Sequence, residues 1–274
     1  MTWPVQIAYT TYSTPAWSPE RIAERAAALG FDAIELRTYD GHPVPVDLTT
    51  AQIEALRRTF ADRGLAVCAM GTSCRFAPSD EVCQAAVRDA LRYLQVAAGL
   101  GAPLLRVFGG AFDGQGVSEA EAVQRVAGAL AELAPAARAA RVCVVLETHD
   151  GFAAGARVGR VLQQVSDEWI AACWDWLHPC RVGEEPAQTA AALRGRIRHA
   201  HTKDARPAAD GKWQAMPLGE GTLPLADILR EMVRQGYDGP LSLEWEGPRD
   251  QDPEPVLAAY VPAIRRLVAA HASA

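Results

Sequence analysis

The chain is predicted to fold as an α/β protein, a single (β/α)8 barrel, on three observations. Apolar strand-like runs alternate with helix-period segments eight times, at intervals of about 27 to 43 residues, which suits the roughly 250-residue size of such a barrel. The strand-like runs in the second half of the chain carry acidic or imidazole side chains at their ends. No glycine fingerprint follows the first run, where Tyr9-Thr10-Thr11-Tyr12-Ser13 stands instead, and this disfavours a doubly wound open sheet. No linker or low-complexity stretch divides residues 1–274, so they are read as one domain.

The elements follow in order. Val5–Thr10 reads as the first strand; Ser18-Pro19-Glu20 then opens a helix with a cap and a first-turn proline, and Leu29-Gly30 ends it. Ala33–Arg37 is the second strand. The next helix opens at Thr49 with Gln52 three residues on, carries Ile53, Leu56 and Phe60 on one face, and stops before Gly64. Leu65–Met70 is the third strand, Ser79–Gly99 a helix and Leu104–Phe108 the fourth strand. A Gly-rich loop leads to a helix whose Ser118 and Glu121 suit a capping box. Val142–Glu147, Trp169–Asp175, Ile197–Ala205 and Pro240–Glu244 are the remaining strands. Their helices are expected at Ala156–Val165, Pro186–Leu193, Leu225–Gln235 and from Pro253 onward, with a kink at Pro262.

The stretch from Ile197 to Ala205 points to chemistry. Alternation puts His199, His201 and Lys203 on one face of a strand, and polar groups crowded inside a covered sheet are costly unless they are hydrogen-bonded or metal-bound. In the barrel the C-terminal strand ends converge on one mouth, so Glu147, Asp175, His201 and Glu244 from strands five to eight can meet there. Three carboxylates and an imidazole suit a hard or borderline divalent cation such as Mn2+ or Mg2+.

Composition bounds the alternatives. A 274-residue chain with 49% hydrophobic and 22% charged residues is that of an ordinary soluble protein, and a net charge of −6 argues against a nucleic-acid partner. No apolar run is long enough to span a bilayer, and Met-Thr-Trp-Pro-Val lacks the features of a secretory signal. Cys68, Cys143 and Cys173 lie in predicted strands, while Cys74, Cys83 and Cys180 lack zinc-type spacing. All six are read as reduced thiols in a cytoplasm.

Leu146-Glu147-Thr148-His149, Trp174-Asp175-Trp176-Leu177-His178, Ala200-His201-Thr202-Lys203-Asp204, Leu218-Gly219-Glu220-Gly221 and Leu243-Glu244-Trp245-Glu246 occur in that order. Together they resemble the xylose-isomerase-like TIM barrels called sugar phosphate isomerases/epimerases, over nearly the whole chain. The resemblance implies one divalent metal, usually Mn2+ with Mg2+, Co2+ or Zn2+ as substitutes, on Glu147, Asp175, His201 and Glu244. It further implies isomerase or epimerase activity on a sugar, keto sugar or polyol-derived hydroxy-ketone through an enediolate. One of Glu147 and Glu244 would remove the proton and the other return it, with His178 hydrogen-bonded to a substrate oxygen.

Each assignment has a plainer competitor. Asp175 is alternatively a buried carboxylate paired with Lys203 or Arg106. His149 either touches substrate or caps the chain; Glu35 and Arg106 either bind substrate or form a structural ion pair; His199 is read as a core histidine. Arg206 is either an anion handle or a solvated loop arginine, and Glu246 a substrate contact or a solvated charge. Trp174, Trp176 and Trp245 are read as packing outward on helices. Leu218-Gly219-Glu220-Gly221 carries its own negative charge and makes a poor phosphate cradle, so a non-phosphorylated substrate is favoured.

Rival functions remain open at this point. The related apurinic endonucleases use several zinc ions and extra histidines, where this chain has Glu35, Met70 and Gln214-Ala215-Met216. A dehydratase of the inosose dehydratase type, or a lyase acting by β-elimination, shares the same first proton abstraction. A non-enzymatic binding protein is a minor alternative. The partner is expected to be a small carbohydrate-like molecule, with no nucleic acid and no membrane, and barrel helices allow pairing into a homo-oligomer.

Overall fold

The structure is a computed structural model that describes residues 3–271 except 115 and 249; Met1 and Thr2 of the stretch read for a signal lie outside the described residues. Eight parallel strands close into a ring: β1 (Ile7–Thr10), β2 (Ala33–Leu36), β3 (Ala66–Arg75), β4 (Leu104–Phe108), β5 (Cys143–Glu147), β6 (Ile170–Asp175), β7 (Ile197–Thr202) and β8 (Leu241–Leu243). The ring is sealed where β8 pairs with β1, Ile7 opposite Leu241 and Tyr9 opposite Leu243. The predicted (β/α)8 barrel is the observed one.

Nine helices are present among the described residues: α1 (Pro19–Leu29), α2 (Thr50–Ala61), α3 (Asp80–Leu100), α4 (Glu119–Ala140), α5 (Gly155–Gln164), α6 (Leu177–Arg181), α7 (Pro186–Ala192), α8 (Leu225–Arg234) and α9 (Glu254–His271). The boundaries come from local chemistry. The Ser18 hydroxyl accepts the Arg21 N–H at the start of α1, and Gly30 ends it in the left-handed region at φ 83°. Both expected capping boxes form, Thr49 with Gln52 and Ser118 with Glu121.

Two features depart from the sequence reading. Helix α6 was not foreseen; it starts because Asp175 Oδ1 accepts the N–H groups of Leu177 (2.8 Å) and His178 (3.1 Å), turning the chain at the strand end. The chain beyond Thr202 is not a continuation of β7 but a two-stranded antiparallel ribbon, Asp204–Pro207 against Trp213–Met216. Pro262 falls inside α9, the last helix, as expected. Proline removes one backbone bond there, while the buried face of Leu257, Tyr260, Val261 and Ile264 holds the helix to the barrel.

The packing is in two parts. Between strands and helices lies a large apolar layer that includes Trp174, Trp176 and Phe60. Within the ring the apolar cluster is built largely of small side chains, among them Ala8, Ala33, Ala69, Ala171 and Cys173. Small residues there leave room above them for the long buried polar side chains of Glu35, Arg106 and His199. The barrel floor therefore supports a polar middle layer, and the strand-end residues lie above it.

Asp204 fastens the mouth on the β7 side. Its carboxylate accepts the backbone N–H groups of Ala205 (2.8 Å), Gly219 (2.9 Å), Gly221 (2.9 Å) and Leu223 (3.3 Å). The glycine-containing stretch 218–221 thus spends its N–H groups on Asp204 and has none to spare for a phosphate at those two glycines. Replacing Asp204 by alanine strands several buried donors, and urea unfolding is expected to show a loss of about 3 kcal/mol; a loss below about 1 kcal/mol would contradict this role.

Candidate metal centre

Register explains why the four strand-end residues meet. Glu147 lies opposite Cys173, Asp175 opposite His201, and His201 opposite Ser242, so Glu244 emerges just past the last paired residue of β8. Because side chains alternate along each strand, these positions all turn toward the barrel axis. Glu147, Asp175, His201 and Glu244 are all buried, and one donor atom from each lies within 4.8 Å of the others.

His201 is central. Its Nδ1 stands 2.8 Å from Glu147 Oε1 and 3.4 Å from Glu244 Oε2, while its Nε2 stands 2.9 Å from Glu35 Oε2. Glu35 is in turn held by His199 Nε2 at 2.9 Å and by the Ser242 hydroxyl at 3.0 Å. The two carboxylates thus grip opposite edges of one imidazole. A hydrogen bond from Nε2–H to Glu35 leaves Nδ1 as the nitrogen turned toward the cluster.

The cations are few. Arg106 Nε lies 3.3 Å from Glu147 Oε2 and 3.9 Å from Glu35 Oε1. Lys203 Nζ lies 2.8 Å from Asp175 Oδ2, 2.7 Å from Glu244 Oε2 and 3.1 Å from Glu246 Oε2. Five carboxylates therefore surround two permanent cations. Burial pushes the Glu147 carboxyl up, but His201 and Arg106 outweigh it and hold the group below its ordinary range. The same balance, against Lys203 and His201, keeps Glu244 well below its ordinary range. Burial works to lower the His201 imidazole, yet Cys173 and its three neighbouring glutamates raise it well above the usual value.

This donor set fits a divalent cation. Oxygen donors with one imidazole match the preferences of Mn2+, Mg2+ or Zn2+, and Glu147 Oε2, buried, accepts no hydrogen bond. A buried acidic surplus is costly in a medium of low dielectric, and a dication relieves it. Cys173, His199 and His201 also approach one another closely enough to share an ion, but His199 is already committed to Glu35.

His178 sits beside the cluster. Arg181 donates to its Nδ1 at 3.3 Å, so the ring proton of the neutral tautomer is on Nε2. Burial, with Lys203 and His149 near, lowers its pKa to about 3. The buried Nε2–H has no hydrogen-bond partner and lies 3.9 Å from Asp175 Oδ2. His149 packs edge-on against it, ring centroids 4.3 Å apart, with its Nδ1 3.0 Å from Asp150 Oδ1.

Several expectations change with the coordinates. Glu35 is fully buried and its oxygens are engaged by His199, His201 and Ser242, which favours the structural pairing over substrate contact. Arg206 is exposed on the ribbon, with Gln214 Oε1 at 3.4 Å from its Nη2, and does not enter the cluster. Trp245 packs against the same apolar layer as Trp174 and Trp176 but is only half-buried, and its backbone N–H bonds Ser13 Oγ. The alternative pairing of Asp175 with Lys203 forms, among the same side chains as the cluster. Arg181 escaped notice, since α6 was not foreseen and strand alternation gives no signal for a helix turn. All six cysteines are free. No helix among the described residues is long and apolar enough to cross a membrane.

Comparison with solved structures gives full-length likenesses of fold at low identity. An L-ribulose 3-epimerase matches with TM-score 0.80 and 19% identity, over 98% of this chain and 96% of that one. The IOLI protein with a bound zinc atom matches with TM-score 0.84 and 15% identity, over 97% and 99%. The probable 3-DHS dehydratase AsbF of Bacillus anthracis matches with TM-score 0.75 and 19% identity, over 95% and 98%. Comparison by sequence with curated proteins gives no match. A family model does match, over residues 23–267, and by it this chain belongs to the xylose isomerase-like TIM barrels.

Proposed function

We propose that the protein is a metal-dependent sugar isomerase or epimerase that moves a proton at a carbon next to a carbonyl. The observation that carries this reading is the convergence of Glu147, Asp175, His201 and Glu244, with a glutamate near Nδ1 from either side. Those four residues would hold one divalent ion, with Mn2+ our first expectation and zinc, as in the IOLI structure, close behind. When bound, the ion polarises neighbouring substrate oxygens and so acidifies the adjacent C–H bond.

The remaining work falls to the chain's own side chains. A carboxylate of Glu147 or Glu244 takes the proton, and the other returns it on the opposite face or at the neighbouring carbon. His178, neutral and with an unpartnered Nε2–H, donates to a substrate oxygen. Glu35 holds the His201 imidazole in one tautomer. The fully buried trio of Glu35, Arg106 and His199 keeps water from beneath the reacting carbon.

A dehydratase is the second reading, favoured by one feature. His149, with its Nδ1 3.0 Å from Asp150 Oδ1 and its ring packed on His178, is an imidazole that could protonate a departing hydroxyl. AsbF, a likeness described as a probable dehydratase, shares the fold. Mass spectrometry of products separates the two, an isomer having the mass of the substrate and a dehydration product one water less.

Three outcomes are expected. With Mn2+ and a panel of keto sugars and inososes in deuterated water, the wild type exchanges a substrate C–H for deuterium; Glu147→Gln and Glu244→Gln lose this exchange, and exchange undiminished in both would remove them from the reaction. Glu35→Leu weakens Mn2+ binding about 10- to 100-fold by calorimetry, because an unsupported imidazole ligand is mobile; unchanged affinity would deny Glu35 its orienting part. His178→Ala lowers kcat/KM at least about tenfold while Mn2+ affinity stays within about twofold; the reverse pattern would make it a ligand support instead.

A further inference from the structure

At the edge of the cluster lies a space of about 460 Å3, bounded by Lys203 and Glu244 on one side and by the ribbon on the other. That volume falls within the range of about 300–1,000 Å3 typical of small-molecule sites. Its wall sets charged side chains, Lys203, Glu244 and Glu246 among them, beside large apolar ones. Trp213, Met216, Leu218 and Trp245 all line it, and all four are only half-buried. Four large apolar side chains left partly open on one concave wall mark a surface that gains by being covered.

The acids of the wall meet partners within the protein. Glu244 and Glu246 share Lys203, and Asp204 accepts four backbone N–H groups. Arg181 lines the pocket and donates to His178 Nδ1, so the space is continuous with the mouth.

From this we infer that the substrate is larger than a simple ketose: a hydroxylated carbon skeleton that reaches the metal ligands, joined to an apolar aromatic ring that lies in this pocket between Trp213 and Trp245. This deepens the proposed function and rests on it only for which end of the ligand reacts. Aromatic rings stacked or tilted on indoles gain from both area and quadrupole geometry. Trp213 and Trp245 would thus set specificity without touching the reacting carbon.

Two probes that differ only in the group attached to the sugar test this: phenyl β-D-glucopyranoside and methyl β-D-glucopyranoside, titrated into the Mn2+-loaded protein by calorimetry and tryptophan fluorescence. The phenyl probe is expected to bind at least about tenfold more tightly. Trp213→Ala should erase most of that preference, Trp213→Phe should keep most of it, and Mn2+ affinity should stay unchanged in both. Equal affinity for the two probes, no saturable binding of the phenyl probe, or a preference untouched in Trp213→Ala would overturn the inference. Loss of Mn2+ binding in the wild type with the phenyl preference intact would instead refute the metal reading and leave the pocket standing.

Discussion

Acidic groups crowded into a barrel repel one another, and that repulsion is the constraint on which the rest of this molecule depends. Glu35, Glu147, Asp175 and Glu244 are buried around a single imidazole, with Arg106 and Lys203 as their fixed counter-charges. Carboxylates taken out of water stay ionised only where positive charge or hydrogen-bond donors stand close. The neighbouring side chains can be understood as answers to that demand. Arg106 rises from β4 between two of the acids, His199 and Ser242 bind Glu35 from β7 and β8, and backbone N–H groups of α6 take one oxygen of Asp175.

That arrangement also couples structure to chemistry. Asp175 both joins the cluster and starts α6, and α6 carries His178 and Arg181. A change at Asp175 therefore moves His178 and Arg181 as well as the charge near them. On the other side, Lys203 bridges Asp175, Glu244 and Glu246, so one ammonium ties β6, β7 and the loop after β8 together at the point where the cluster meets the apolar pocket.

Much of this was legible in the chain itself, for identifiable reasons. Buried parallel strands read as short apolar runs, and a run that ends in Glu147 or Asp175 announces a mouth because a charge cannot lie deeper without a partner. Capping chemistry at Thr49 and Ser118 placed two helix starts correctly. What escaped were features set by tertiary contacts. The turn at α6 depends on Asp175 capping through a side chain whose sequence context reads only as a strand end. The ribbon after β7 depends on Asp204 gathering four N–H groups, three of them 15 or more residues away, which no local pattern encodes. Glu35 looked like an inward charge on β2, and only the closing of the ring shows that it meets β7 and β8.

The central claim is that four side chains from β5, β6, β7 and β8 enclose one dication. Anomalous diffraction at the manganese edge, from crystals grown with Mn2+, tests it most directly. The account predicts a single strong peak coordinated by Glu147, Asp175, Glu244 and Nδ1 of His201. A peak elsewhere, or coordination that leaves out Asp175 or His201, would contradict it.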